Sequence, residues 1–201
     1  MNHFYLQQFR KEQIKTITDK PGVYILVDWH GAPLYVGASK AILEGLRARV
    51  SRHTTSARSD LLANQKMVTD EIAYVWLYEC ADTADILKLE HHLIFKHDSH
   101  RPLLNSKVPK FDIVCRVPEK TVVQLVPDSE IERMQDPAEI FHHNLKMELA
   151  LLDYIKSTKD NEDTRRALAV RHSLTEYHRA IFINSFMAKT GSSKNKSAAN
   201  D

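Results

Sequence analysis

Five side chains between positions 24 and 90 have the types and the spacing for hydrolytic chemistry. Tyr24 and Tyr35 are separated by ten residues and flank Asp28-Trp29-His30-Gly31, a stretch with turn-forming composition. A turn centred between Trp29 and His30 would set Tyr24 opposite Tyr35 and Gly22 opposite Gly37. Directly opposed side chains share a face within about 5 Å, so two phenols would stand side by side. Arg49 and His53 are i,i+4 partners beside the apolar stripe of Ile42, Leu46 and Val50, and so share one face of a helix. Glu90 falls between Ile86 and Ile94 on one stripe, where a carboxylate is costly unless something pairs with it. Either the helix is rotated to leave Glu90 at the solvent boundary, or a metal ion or a positioned arginine answers it.

The elements that must carry these residues are readable from pattern. A helix over 3–16 ends before Pro21-Gly22; strands follow at Val23–Val27 and Pro33–Val36. A helix over 39–53, with Ser39 as its N-cap, and a strand over Ile72–Tyr78 come next. A helix from Ala84 to about His97, capped by Thr83, carries Glu90. Tyr74, Trp76 and Tyr78 share one side of their strand, as expected for packing on a helix. The spacing then predicts two short strands around Pro118-Glu119-Lys120 and helices over 137–157 and 163–189. The organisation is an N-terminal helix at 1–19, a catalytic-type domain at 20–110, a mostly helical extension at 111–189 and a disordered tail at 190–201. The fold class is α+β, with a three-stranded antiparallel sheet flanked by helices.

Composition excludes several functions. The 201 residues are 43% apolar, without the long uncharged run a membrane span needs. Two cysteines, Cys80 and Cys115, are too few for a disulfide framework or a cysteine-based zinc site. The charged N-terminus lacks a signal peptide's apolar stretch, and the expected location is the cytoplasm. His91 and His92 diverge around a helix, so with His97 and His100 they are expected at surface and boundary positions rather than as a metal cluster. Residues 36–69 hold six basic side chains against two acidic ones, either a solvated face or a surface for a phosphate-bearing partner.

In this order, these residues resemble the GIY-YIG nuclease family. Gly22-Val23-Tyr24 stands for the first triplet and Tyr35-Val36-Gly37 for the second, with Gly22 and Gly37 as structural motif positions. Arg49-Val50-Ser51-Arg52-His53 matches the arginine helix, Glu90 the metal-binding glutamate and Asn105 the closing asparagine. The resemblance covers residues 20–107. It departs from the family where Ala41–Gly45 reads as an insertion of about one helical turn, which leaves Arg47 as an alternative to Arg49.

The resemblance implies a metal-dependent endonuclease that hydrolyses phosphodiester bonds in DNA, RNA being left open. Glu90 would hold one Mg²⁺ or Mn²⁺ per site, and Arg49 would stabilise the phosphate charge of the transition state. Tyr35 would accept the proton of the attacking water, with Tyr24 positioning or assisting; His53 would orient water or phosphate, and Asn105 would fix the elements that carry Glu90. Lys40, Arg47 and Arg52 would contact the nucleic-acid backbone. One site cuts one strand, so a homodimer is one route to double-strand cleavage. The competing expectation is a catalytically silent module of the same fold that binds nucleic acid or a protein.

Overall fold

The computed structural model describes residues 3–39, 44–55, 59–158 and 160–197. After helix α1 (His3–Lys15), strands β1 (Gly22–Val27) and β2 (Pro33–Ser39) form a hairpin, followed by α2 (Leu46–Thr55) and the short α3 (Asp60–Ala63). A 3₁₀ turn (Thr69–Glu71) leads into β3 (Tyr74–Glu79), and α4 (Thr83–Asp98) follows. Strand β4 (Thr121–Gln124) and helices α5 (Asp128–Met134), α6 (Pro137–Ser157) and α7 (Glu162–Ser197) complete the chain. The sheet is antiparallel and four-stranded, in the order β2-β1-β3-β4.

The fourth strand corrects the three-stranded expectation. Of the two strands expected around Pro118-Glu119-Lys120, the second forms, as β4, and its Val123 pairs with Val75. β1 is buried on both faces, which is why Gly-Val-Tyr-Ile-Leu-Val reads as a continuous apolar run. Tyr24, Leu26, Val75 and Leu77 face α2 together with Leu151 of α6 and Val170 of α7. Val23, Ile25, Val27 and Val36 face Ile86, Leu89 and Leu93 of α4. Tyr74, Trp76 and Tyr78 pack into that second layer, as expected.

The hairpin register differs from the simple turn. Tyr24 lies opposite Gly37, Leu26 opposite Tyr35 and Gly22 opposite Ser39. Asp28 widens the turn: its Oδ1 accepts from the backbone N–H groups of His30 and Ala32 at 2.9 Å each. A register irregularity at Leu26/Val27 accompanies it. Moving the centre of a turn by one residue moves every partner by two, and an even shift leaves side chains on their original face. The two tyrosines therefore stay on one face although they are not directly opposed. Gly22 is needed for close approach, since a Cβ there would lie 2.1 Å from the carbonyl oxygen of Tyr78.

Helix boundaries show where tertiary contacts prevail. Ser39 ends β2 rather than capping a helix, and α2 starts at Leu46, where Leu46 N–H donates to Lys20 O at 3.0 Å and Arg47 N–H to Thr18 O at 3.1 Å. The cap of α4 is Asp82, whose carboxylate accepts from Ala84 and Asp85 N–H, so the cap lies one residue before Thr83. α7 continues to Ser197, into the segment whose polar composition predicts disorder. Helix propagation adds a hydrogen bond for each residue fixed, and Ser, Lys and Asn tolerate it once a long helix has started.

The helical extension is joined to the sheet by buried charge. Arg171 on α7 is fully buried (0% exposed) and grips Glu71 with two bonds, of 2.6 and 2.7 Å, while its Nε donates to Lys66 O at 2.8 Å. His143 on α6 reaches the same carboxylate at 3.0 Å. Burial alone would raise the Glu71 pKa, but Arg171 and His143 outweigh it and hold it at about 2, below the ordinary 4.5. A depressed carboxylate contributes stability that is present above the unfolded value and lost as pH falls towards the folded one. Acid unfolding monitored by circular dichroism is therefore expected to take most of this contribution between pH 4.5 and about 2. Arg171→Ala strands Glu71 and should cost about 3–5 kcal/mol in urea unfolding at neutral pH; a loss under about 1 kcal/mol would contradict this.

Candidate active site

Tyr24 and His53 form the buried centre of the site. Tyr24 is 2% exposed, and its hydroxyl meets His53 Nε2 at 2.7 Å. His53 Nδ1 meets Ser59 Oγ at 2.7 Å, just past α2. With the phenol donating, Nε2 accepts and Nδ1 carries the proton to Ser59, a tautomer assigned from the bonding pattern. Tyr35, half-buried, brings its ring to 6.3 Å from Tyr24 and 5.5 Å from His53. Gly37 makes this possible. It lies across the ladder from Tyr24, and a Cβ there would sit 2.4 Å from the Tyr24 hydroxyl and 2.9 Å from the Tyr35 ring.

Burial pushes the Tyr24 phenol well above its ordinary pKa. Tyr35 and Glu90 push the same way, while Arg49 and Arg52 oppose them. That one hydroxyl feels all four groups gathers residues from β2, α2 and α4 into a single cluster. Tyr24 is accordingly a neutral phenol, held as a donor.

The two candidate arginines are separated by direction. Arg47 turns back to the segment before β1, donating from Nε to Ile17 O at 2.7 Å and pairing with Asp19 at 2.9 Å. Arg49 turns to the site, where its Nε donates to Ala38 O at 3.2 Å. Arg52, one turn on, pairs with Glu44 at 2.5 Å, and Arg49 reaches the same carboxylate at 3.7 Å. Lys40 and residues 41–43 of the expected insertion lie outside the described residues.

Glu90 sits half-buried on α4 between the buried Ile86 and Ile94. No cluster of three or more His, Cys, Asp or Glu side chains able to hold a metal occurs among the described residues. Asn105 braces the edge strand β2. Its Nδ2 donates to Val36 O at 2.8 Å and its Oδ1 accepts from Val36 N–H at 3.0 Å, so one amide satisfies both backbone groups of the edge strand. His91 and His92 are committed to Phe111 O and Asp112, in line with boundary positions.

Sequence reasoning missed Ser59 and Glu44. Ser59 lies beyond the end of α2, where no periodicity ties it to His53. Glu44 lies in the departure from the family pattern, where no motif residue marks it.

Two tyrosines on paired strands, meeting an arginine and a histidine of the next helix beside a glutamate of a later one, define a domain of the GIY-YIG class. Residues 20–105 match the family described as the UvrC-like GIY-YIG domain, and this segment is a GIY-YIG domain of that kind. Similar proteins are the UvrABC system protein C of Parasynechococcus marenigrum (strain WH8102), 30% identical over 105 residues, and that of Synechococcus sp. (strain CC9605), 31% identical over 105 residues. The aligned region is 52% of this chain and 15% of each relative, so the chain spans only a small part of the proteins it matches. Among the described residues no helix is long and apolar enough to cross a membrane.

Gly37→Ala tests this packing. The added methyl must drive the Tyr24 ring off His53, and denaturant unfolding should show a loss of about 1–3 kcal/mol. An unchanged midpoint would mean that the phenol is not held against Gly37.

Proposed function

We propose that this protein is a metal-dependent endonuclease that hydrolyses phosphodiester bonds in DNA. The observation that carries this reading is the convergence of Tyr35, the Tyr24–His53 pair, Arg49 and Glu90 in a UvrC-like GIY-YIG domain.

Glu90 is a single carboxylate, which suits a Mg²⁺ or Mn²⁺ ion that keeps most of its water shell. Such an ion, when bound, supplies Lewis-acid polarisation of the phosphate and stabilises the leaving 3′ oxygen. Arg49 donates guanidinium hydrogen bonds to the phosphate as its charge grows. Tyr35, the more accessible phenol, acts as the phenolate that accepts the proton of the attacking water. Tyr24 stays protonated and, fixed by His53, orients that water. His53 lies in ring contact with both phenols and fixes their relative placement. Arg52 contacts the nucleic-acid backbone, and Asn105 holds β2 in place. The setting is cytoplasmic, and two copies would cut both strands of a duplex.

The test is conversion of supercoiled plasmid to nicked circles in Mg²⁺, Mn²⁺ or EDTA, with structured RNA as a parallel substrate. Metal-dependent nicking is expected. Arg49→Ala and Tyr35→Phe should each lower it about 100-fold or more, and Glu90→Ala should abolish it while leaving DNA binding intact. Arg47→Ala should cut at close to the parental rate. Binding without cutting in every metal would favour the silent module, and cutting of RNA alone would replace DNA as the substrate.

A further inference from the structure

In the free protein the two arginines that face the site share one counter-ion, the Glu44 carboxylate. We propose that Glu44 is an internal stand-in for the substrate phosphate, displaced when a phosphodiester enters, and that it sets the affinity of the site for anions. This rests on the reading above that the arginine pair takes a phosphate.

Three observations support it. First, the chemistry matches: a carboxylate offers guanidinium groups the same paired oxygen acceptors as a phosphodiester, at the same single negative charge. Exchanging one for the other leaves the local charge unchanged.

Second, the backbone delivers the carboxylate to a fixed place. The Ser39 hydroxyl donates to the Glu44 carbonyl. The next residue, Gly45, lies so close to the Asp19 backbone that a Cβ would be 1.8 Å from its carbonyl oxygen. Leu46 N–H is then tied to Lys20 O. Only the torsions of the Glu44 side chain need to change for it to leave.

Third, the exchange needs no buried charge to be stranded. The side chains of Glu44, Arg49 and Arg52 are 44%, 35% and 34% exposed, so water can solvate Glu44 once it swings out. Arg49 keeps its bond to Ala38 O and remains aimed at the site. An exposed ion pair is weak enough to be displaced and strong enough to compete.

The consequence is a gain of function on removing an acidic residue beside the site. Duplex binding is measured in EDTA, by fluorescence anisotropy of a labelled oligonucleotide, for the parent, Glu44→Gln and Glu44→Asp. Inorganic phosphate and pyrophosphate are titrated in parallel, with the rise in melting temperature as readout. Glu44→Gln should bind duplex about fivefold more tightly or better and respond to pyrophosphate at correspondingly lower concentration. Glu44→Asp, too short to span both arginines, should fall between. Adding Arg49→Ala to Glu44→Gln should erase the gain. Equal or weaker binding of both duplex and pyrophosphate by a Glu44→Gln protein with parental melting temperature would overturn the proposal while leaving the nuclease reading intact. A sharpened pyrophosphate response with no duplex binding by any variant would uphold the displaced-carboxylate role and overturn the nucleic-acid reading.

Discussion

One hydrogen bond inside the protein organises the rest of the site: the Tyr24 hydroxyl to His53, at 2.7 Å. A buried phenol without a partner is costly, so the sheet and α2 must meet where this bond can form. That meeting requires Gly37, because any side chain there would occupy the space of the Tyr24 ring. It requires α2 to begin where Gly45 can press against Asp19, and Ser59 to return past the end of the helix to hold the far nitrogen of the imidazole. Arg49 then faces the site as a consequence of where α2 is anchored.

The extension beyond the sheet supports the same arrangement from a distance. Arg166 on α7 donates to Asn105 O at 3.0 Å and pairs with Asp98 at 2.5 Å. Asn105 in turn holds both backbone groups of Val36 on the edge strand. A continuous set of bonds therefore runs from the last helix to the strand that carries Tyr35 and Gly37. With Arg171 on Glu71, it makes α6 and α7 part of the structure that keeps the site in shape.

Much of this is legible in the sequence, for physical reasons. The two tyrosines, the Arg49–His53 pair and Glu90 each interrupt or edge an apolar pattern, and such interruptions are informative because burying polar groups is costly. The alternation in β3 and the i,i+4 stripes in α4 and α6 place those elements correctly to within a few residues. The hairpin register is less legible, because it depends on the Asp28 side chain bonding two backbone N–H groups, which shifts the turn by one residue. The start of α2 is hidden because it is set by a contact with the end of the α1–β1 connection, not by a capping residue in sequence. The pattern gives β4 as a short strand but not its place in the sheet, because a four-residue strand takes its register from β3. Ser59 and Glu44 carry no pattern at all; only the fold brings them to His53 and to the two arginines.

The division of labour between the phenols depends on the proton of the Tyr24 hydroxyl. If burial keeps it on oxygen, it points at His53 Nε2, and base chemistry falls to Tyr35. The most direct test is the ¹⁵N NMR spectrum of the imidazoles at neutral pH, with His53 assigned by the loss of its signals in His53→Gln. The expected spectrum is that of a neutral His53 with the proton on Nδ1 and an accepting Nε2. A His53 protonated on Nε2 would contradict it, because Tyr24 would then be an acceptor and the better placed of the two phenols to act as the base.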